Sequence, residues 1–264
     1  MKTTLRNEVD RLLFARGSGC PLVLLFDYDG TLVPIVAHPH LATLSDETRR
    51  LLEQLAGRPR LAVGVLSGRR LEELKGLVGL PGLCYCGTSG LELELDGALI
   101  VHPQAAVARD LVEKAVAAVQ NRITAYPGAW VENKRLGLTV HYRDVAQEQI
   151  GPLASHVRSI LQPFAEQLRI LDTARAIEIT PAFGWTKATA VQRIVTHYGP
   201  NAVPLYAGDE ANDADALEAA ASLGGVALGI GPQAPSAARH RLSDPAELFD
   251  FLSGFLVALV QQEI

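Results

Sequence analysis

The segment Leu22–Leu32, LVLLFDYDGTL, decides the fold prediction for this chain. Five apolar residues, Leu22 to Phe26, predict a strand that is buried on both faces, as in a parallel sheet covered by helices. Two carboxylates, Asp27 and Asp29, follow this strand, and a Gly-Thr pair turns the chain. Close, buried like charges raise each other's pKa and lose hydration, so they need a compensating charge. This pattern indicates a bound cation at the end of the strand.

Length and composition narrow the class of protein. With 264 residues and 48% hydrophobic residues, the chain can form one large domain or two smaller ones. A net charge of -5 offers no basic patch for nucleic acid. The N-terminal residues lack the apolar core of a secretion signal, and the late apolar segment around Asp250 is too short to cross a bilayer. We therefore expect a cytoplasmic protein that binds neither nucleic acid nor membrane.

Three cysteines, Cys20, Cys84 and Cys86, do not form a disulfide framework, and their odd number fits a reducing compartment. Alternation along a short strand places Cys84 and Cys86 on one face. Metal binding by this pair is possible in principle, but buried small hydrophobic residues are the more common outcome. We predict that both are buried in the core.

Apolar strands alternate with helices in the first and last thirds of the chain, which predicts a doubly wound, mostly parallel, Rossmann-like α/β sheet. Ser45 is suited to cap a helix that reaches Leu55, and Gly199 to end another. In the middle third, a hairpin turning at Asp96-Gly97 is followed by two helices and several antiparallel strands. The prediction is a core domain of residues 1–104 and 184–264, interrupted by an α+β domain of residues 105–183.

Chemically capable residues follow four predicted strand ends or helix starts, where active groups collect in an open parallel sheet. They are the Asp27–Asp29 pair, Ser67, Lys187 at a helix start, and an acidic segment from Asp209 to Asp215. Hard oxygen ligands of this kind suit Mg²⁺, and a hydroxyl before a run of amides suits a phosphoryl oxygen. Each feature has an ordinary structural explanation when taken alone: a turn, a helix cap, a surface lysine or an acidic helix start.

The order of these four features resembles the motif sequence of the haloacid dehalogenase superfamily of phosphohydrolases. The resemblance implies that Asp27 is the nucleophile that accepts the phosphoryl group, and that Asp29 protonates the leaving alcohol and then activates water. It further implies that Ser67 and Lys187 hold the phosphoryl oxygens.

The same resemblance implies a Mg²⁺ site. Its ligands would be Asp27, the backbone carbonyl of Asp29, and Asp209. Asp213, together with Asn212, would lie in the surrounding hydrogen-bond shell.

About 40 residues separate Asp27 from Ser67 and about 120 separate Ser67 from Lys187, so the extra domain follows the second motif. In the superfamily, an α+β domain at this place is a cap, typical of phosphatases that act on sugar phosphates. The segment WVENKRLGLTVHYRD, together with FDYDGTLVPI, LSGR and IEITPAFGWTKATAV, resembles the trehalose-6-phosphate phosphatase family. The resemblance implies substrate contacts from Arg69, Glu132, Lys134, His141 and Glu178. Without it, the VENK and HYR segments would be explained as exposed cross-strand pairs.

Two positions depart from that family's pattern. Ser89 stands where the family usually has a histidine, and GDEANDAD replaces a segment that usually contains Asp-Asp-x-Thr-Asp. The first departure implies a changed sugar pocket, whereas the second retains the metal-binding carboxylates. The expected function is hydrolysis of a small-molecule sugar phosphate, and trehalose 6-phosphate is the favoured substrate. The protein would act as a monomer or small oligomer in trehalose biosynthesis. Alternatives are another glycosyl phosphate, such as glucosylglycerol phosphate, sucrose phosphate or a pseudo-disaccharide phosphate, a phosphotransferase, or a catalytically silent phosphosugar-binding module.

Overall fold

The computed structural model describes residues 3–36, 41–173 and 176–263. Contacts between residues divide the chain into two compact units. The core unit contains the residues up to Ile100 and those from Thr186 onward, and the inserted unit contains Val101–Trp185. The assignment of domains at 104/105 and 183/184 stays a prediction.

The elements within the described residues are numbered along the chain. The strands are β1 (Leu22–Asp27), β2 (Leu61–Leu66), β3 (Cys84–Gly87), β4 (Glu92–Leu95), β5 (Ala98–Val101), β6 (Trp130–Asn133), β7 (Leu138–His141), β8 (Leu168–Asp172), β9 (Ala176–Pro181), β10 (Val203–Gly208), β11 (Val226–Ile230) and β12 (His240–Leu242). The helices are α1 (Thr3–Gly17), α2 (Asp46–Ala56), α3 (Leu71–Val78), α4 (Ala105–Gln120), α5 (Gln147–Leu161), α6 (Lys187–Tyr198), α7 (Ala214–Ser222) and α8 (Pro245–Gln262).

Parallel pairing of β1 with β2 and with β10 forms the centre of an eight-stranded sheet in the order β12-β11-β10-β1-β2-β3-β4-β5. Every residue of β1 and β2 is buried, as expected for strands covered on both faces. Pairing is parallel from β12 to β3, and β4 then pairs antiparallel with β3. The predicted hairpin is present, because β4 and β5 are neighbours joined at Asp96 and Gly97.

Helices cover both faces of this sheet. Residues of α1, α2, α3 and α8 form one apolar cluster with Leu22, Leu24 and Phe26 of β1. Residues of α6 and α7 form a second cluster with the alternate β1 residues, Val23 and Leu25. Successive side chains of a strand point to opposite faces, so β1 contributes to both layers. The predicted doubly wound, mostly parallel α/β fold is confirmed.

Several helix ends follow the sequence signals. The hydroxyl of Ser45 accepts a hydrogen bond from the Thr48 amide (3.1 Å) and caps α2. Gly199 ends α6, as predicted. Helix α5 ends at Leu161, and a 3₁₀ turn containing Pro163 follows it. Proline lacks the amide hydrogen that would continue the helix, which explains this end.

The inserted unit has its own four-stranded antiparallel sheet, in the order β6-β7-β9-β8. Helices α4 and α5 pack on one face of it, in an apolar cluster that includes Val140 and Ile177. The two ends of the unit meet in an aromatic contact: the His102 ring stacks on Phe183 (centroids 5.2 Å apart) and lies edge-on to Trp185 (4.6 Å). Within the described residues of either unit, no helix is both long and apolar enough to cross a membrane.

Candidate active site

The carboxyl ends of three adjacent strands bring the predicted motif residues to one edge of the core unit's sheet. Asp27 pairs in register with Leu66 of β2, so Ser67 begins the next segment beside it. On the other side, Phe26 pairs with Ala207 of β10, and Asp209 follows directly after that strand. Parallel topology thus unites residues that lie far apart in the sequence.

A lysine lies buried between two carboxylates at this edge. The Nζ of Lys187 donates hydrogen bonds to Asp27 Oδ1 (2.6 Å) and Asp213 Oδ1 (2.7 Å). The side chain of Lys187 is only 1% exposed. Burial alone would lower the lysine pKa, but Asp213 and then Asp27 outweigh it, so the pKa lies well above its ordinary value. The lysine is therefore held in its charged form.

Lys187 is the first residue of α6, as the sequence predicts. The hydroxyl of Thr186 accepts a hydrogen bond from the amide of Ala188 (3.1 Å) and caps the helix. A cation is disfavoured in the first turn of a helix by the macrodipole. The two carboxylates offset this cost, so the capped helix start delivers the ammonium group to Asp27.

Asp213 is occupied entirely by protein donors. Its Oδ1 accepts hydrogen bonds from Lys187 and from the Tyr206 hydroxyl (2.6 Å), and its Oδ2 accepts from the amides of Asp209 (3.0 Å) and Glu210 (3.3 Å). Asp213 thus positions the lysine and the loop that carries Asp209. Tyr206 was missed by the sequence reasoning; its position in the buried strand before the acidic loop is the signal that could have identified it.

Three acidic side chains converge here, and each contributes one oxygen to a group whose members lie within 4.8 Å of one another: Asp27, Asp209 and Asp213. With Lys187, these groups carry two net negative charges when all are ionised. Burial raises the pKa of Asp27 well above its usual range, an effect that Lys187 opposes and Asp213 reinforces. Burial, with the charges of Asp27 and Asp213, raises the pKa of Asp209 to about 10.

The residues present fit a divalent cation. The buried carboxylate of Asp209 makes no hydrogen bond or ion pair with any described residue, and Oδ2 of Asp27 likewise has no partner in the described part of the chain. Buried carboxylates without partners are costly unless an ion satisfies them. Two hard oxygen donors, in a cluster with two net negative charges, suit Mg²⁺. Because the oxygens of Asp213 already accept protein hydrogen bonds, Asp27 and Asp209 are the side chains able to hold it.

Gly30 allows the motif loop to approach the second acidic segment closely. It has a φ of +87°, and a Cβ built at this position would lie 2.0 Å from Asp209 Oδ2. Any larger residue would displace that carboxylate. The glycine in DYDGT therefore serves both the turn and the packing of Asp209.

Asp29 has a partner that the sequence did not predict. Both of its carboxylate oxygens accept hydrogen bonds from Arg69, at 2.7 Å from Nε and 2.8 Å from Nη2, and Arg69 also contacts Glu73. Burial of Arg69 opposes its charge, but the hydrogen bonds that it donates to Asp29 outweigh this and raise the arginine pKa. For the proton transfer that the family resemblance implies, Asp29 would first have to release at least one of these hydrogen bonds.

A strained loop follows β3 and contacts the second motif. Thr88, Ser89 and Gly90 all have positive φ, of 46°, 54° and 115°, which is unusual for a β-branched threonine. The Ser89 amide donates to the carbonyl of Ser67 (3.0 Å), and the Thr88 amide donates to the carbonyl of Arg69 (2.7 Å).

On its other side, the same loop lies against the start of α6. A Cβ at Gly90 would lie 2.3 Å from the carbonyl oxygen of Thr186. The loop that carries Ser89, the departure from the family pattern, therefore connects the buried Ser67 segment with the start of the lysine helix. No sequence signal identified this strain, because the conformation depends on contacts from both sides.

The two cysteines of β3 lie outside this site. Cys84 and Cys86 are buried free thiols in the same apolar cluster, as predicted from their spacing. Burial raises the pKa of Cys84 to about 11 and that of Cys86 to about 12, so both stay protonated.

The remaining predicted residues lie in the inserted unit, where three of them form a polar cluster. The Nε2 of His141 lies 2.8 Å from Glu132 Oε2, and the Nζ of Lys134 lies 3.8 Å from the same oxygen. Glu132 faces Thr139 across β6 and β7, and Thr139 faces Glu178 across β7 and β9. The predicted residues Glu132, His141 and Glu178 thus occupy positions on one face of the sheet. Lys134 follows directly after β6.

A doubly wound parallel sheet with acidic residues at its carboxyl edge and an inserted α+β unit is the fold of the haloacid dehalogenase superfamily. Solved structures share it. The C-terminal domain of Candida albicans trehalose-6-phosphate phosphatase has a TM-score of 0.83 at 23% identity, covering 94% of this chain and 96% of that one. The C-terminal domain of the Candida albicans trehalose synthase regulatory protein has a TM-score of 0.71 at 13% identity, covering 93% and 97%.

Sequence comparison identifies the family. The trehalose-phosphatase family model matches residues 25–245, and the chain belongs to that family. It is similar to the trehalose-phosphate phosphatase of Mycobacterium marinum, with 35% identity over 238 residues, covering 86% of this chain and 60% of that protein. The chain thus spans about 60% of the length of this curated relative. The predicted resemblance to this family is confirmed.

Proposed function

We propose that this protein is a Mg²⁺-dependent phosphatase that hydrolyses trehalose 6-phosphate to trehalose and phosphate. The observation that carries the proposal is the buried cluster of Asp27, Lys187 and Asp213 beside the unpartnered carboxylate of Asp209. A binding module has no need of a nucleophile, a compensating lysine and a metal-binding carboxylate together. Membership of the trehalose-phosphatase family supplies the expected substrate class.

In the proposed reaction, Asp27 is the nucleophile. Lys187 donates a hydrogen bond to Oδ1 of Asp27 and so orients the carboxylate, one oxygen of which attacks phosphorus. The P–O bond to the sugar breaks as the aspartyl P–O bond forms, and Asp29 gives its proton to the departing sugar oxygen. Asp29 then takes a proton from water, the water oxygen attacks phosphorus, and phosphate leaves as the bond to Asp27 breaks.

Other residues position these groups. Asp27 and Asp209, with the carbonyl of Asp29, would hold Mg²⁺, which supplies positive charge for the phosphoryl oxygens. We propose that the Ser67 hydroxyl and Lys187 bind those oxygens as well. Arg69, which holds Asp29 by two hydrogen bonds, would contribute positive charge near the phosphate when Asp29 turns towards the leaving group.

The inserted unit is proposed to be the cap that recognises the sugar. Glu132, Lys134, His141 and Glu178 would bind hydroxyl groups, since charged side chains form the strongest hydrogen bonds. A cap also excludes water from the reaction. We further propose a reducing, cytoplasmic location, because all three cysteines are free. The state of assembly, monomer or small oligomer, stays a prediction.

Phosphate release tests both parts of the proposal. We expect Mg²⁺-dependent hydrolysis of trehalose 6-phosphate to exceed that of glucose 6-phosphate, and Asp27→Asn to lower kcat by at least about 10³-fold. The matched control is Asp96→Asn at the exposed hairpin turn, which should retain full activity. Turnover retained in Asp27→Asn would refute the mechanism. Equal rates on trehalose 6-phosphate and glucose 6-phosphate would refute trehalose 6-phosphate as the specific substrate.

One observation favours a second candidate substrate. Ser89 stands at the family's usual histidine position, on the loop that contacts the Ser67 segment. A different side chain there favours another glycosyl phosphate, such as glucosylglycerol phosphate, sucrose phosphate or a pseudo-disaccharide phosphate. A panel of these compounds in the same assay distinguishes them by kcat/KM. Analysis of the products separates hydrolysis from phosphoryl transfer to a second sugar.

A further inference from the structure

An indole ring lies on the polar face of the inserted unit's sheet. Trp130 pairs in register with His141, and Glu132 pairs with Thr139, so these side chains occupy one face of β6 and β7. The intervening Val131 packs into the apolar cluster beneath α4 and α5 on the opposite face. Trp130 is 40% exposed, although it is the largest apolar side chain of its strand.

Trp130 is stacked on the histidine of the polar cluster. The two rings have centroids 3.9 Å apart and an interplanar angle of 15°. The same histidine lies 2.8 Å from Glu132 through its Nε2. Stacking fixes the plane of the imidazole, and the hydrogen bond fixes its direction within that plane. The result is a flat aromatic surface bordered by the carboxylate of Glu132 and the ammonium group of Lys134.

This combination matches the surface of a sugar ring. A pyranose has hydroxyl groups around its edge and weakly positive C–H groups on its faces. The negative π face of an indole attracts such C–H groups, while neighbouring charged side chains bind the hydroxyls. A single exposed tryptophan would be ordinary on its own. Trp130 differs because it stacks on His141, which is itself hydrogen-bonded to Glu132.

We propose that Trp130 is a specificity-determining residue that packs against the C–H face of a glycosyl ring of the substrate. The proposal rests on the proposed function and deepens it, since it assigns the ring contact rather than the hydroxyl contacts. A phosphate without a ring, such as acetyl phosphate, cannot make this contact and would depend only on the phosphate-handling residues of the core unit. Trp130 therefore contributes to the preference for glycosyl phosphates.

Steady-state kinetics of Trp130→Ala and Trp130→Phe measure the contribution. For the best glycosyl phosphate of the panel, we expect Trp130→Ala to raise KM about 3- to 12-fold, as for the loss of one aromatic contact, with kcat within about twofold. Trp130→Phe should recover most of the loss. Hydrolysis of acetyl phosphate, which has no ring, should be unchanged in both, which a folding defect would not allow. A KM unchanged for the sugar substrate, or raised equally for acetyl phosphate, overturns the proposal.

Fluorescence gives a readout that does not depend on turnover. The chain has two tryptophans, so Trp185→Phe leaves Trp130 as the only emitter. In an Asp27→Asn, Trp185→Phe protein, each glycosyl phosphate of the panel is titrated with Mg²⁺ present. A saturable change in emission with one of them supports the ring contact, even if trehalose 6-phosphate is not the substrate. No change with any glycosyl phosphate overturns it, whereas a failure of the proposed function appears separately as absent phosphate release by the wild-type protein.

Discussion

The core unit and the inserted unit each contain a carboxylate in contact with a cationic or imidazole group, at almost the same distance. Lys187 lies 2.6 Å from Asp27, and His141 lies 2.8 Å from Glu132. Their surroundings differ, because the side chain of Lys187 is 1% exposed whereas those of His141 and Glu132 are 18% and 25% exposed.

Because the two distances are nearly equal, we attribute the different roles expected of these contacts to burial and to the number of hydrogen-bond partners. In the core unit, the contact holds charges that water cannot reach, which suits chemistry at one fixed atom. In the inserted unit, water still competes, so the groups can exchange partners with a ligand. We therefore expect substitutions in the core cluster to affect kcat and stability, and those in the inserted unit to affect KM.

Lys187→Met should have the largest effect, because it leaves Asp27 and Asp213 buried without their cation. We expect kcat to fall by about 10³-fold or more, and the free energy of unfolding to fall by about 3–5 kcal/mol. The matched control is Lys75→Met, which removes a partly exposed pair with Glu94 and should cost about 0–1 kcal/mol. Urea unfolding and phosphate release measure the two quantities. Equal losses in the two variants would show that burial does not govern the contact.

Asp209→Asn should change how the stability of the core unit depends on pH and on Mg²⁺. With its pKa raised from 3.8 to about 10, folded Asp209 binds its proton more strongly than the unfolded chain does. This contribution to stability is complete below pH 3.8 and is lost as the pH rises towards 10. Metal-free wild-type protein should therefore lose more stability between about pH 5 and about pH 9 than Asp209→Asn does, as followed by thermal unfolding.

Metal addition should reverse that loss in the wild-type protein only. At pH 8, Mg²⁺ at a concentration of roughly one hundred times its Kd should stabilise the wild type by about 2.7 kcal/mol. In Asp209→Asn the stabilisation should largely disappear, and Asp96→Asn should respond like the wild type. An undiminished response to Mg²⁺ in Asp209→Asn would exclude Asp209 as a ligand.

Glu132→Gln should have the smallest effect. Unlike the substitutions in the core unit, it should change KM and leave kcat unchanged. Replacing a charged acceptor by a neutral one should raise KM for the sugar phosphate about 10-fold, with kcat and stability nearly unchanged. Glu113→Gln, in the same unit on α4, is the matched control. A fall in kcat on p-nitrophenyl phosphate after Glu132→Gln would indicate that this residue serves the chemistry instead.

Topology was the most predictable property of this chain. Buried strands such as Leu22–Phe26 have a strong pattern, and parallel pairing then places the following residues at one edge. This placed Asp27, Ser67 and Asp209 correctly on neighbouring strand ends. The start of α6 at Lys187 was also predicted, and the structure shows that Thr186 caps it.

Contacts that depend on side-chain direction were not predictable. The family resemblance assigned Arg69 to substrate and Asp29 to proton transfer, and the structure pairs them through two hydrogen bonds. Tyr206 and Trp130 appeared as ordinary strand residues, because nothing local indicates which polar group a ring will meet. Helix α8 was missed although a signal exists, since Asp244 precedes Pro245 and caps the helix through the amide of Glu247 (2.9 Å).

The aromatic contact between His102 and Trp185 has a consequence for folding. Leu22 pairs with Val203, so β1 and β10 join across 181 residues, the difference between those positions. With its two ends held together by these rings, a folded inserted unit shortens the effective loop by its own 85 residues, counted from 101 to 185. The entropic cost of closing the loop falls by only roughly 0.6 kcal/mol per halving of its length. The sheet of the core unit can thus carry an entire additional folding unit between its halves at almost no thermodynamic cost to its own assembly.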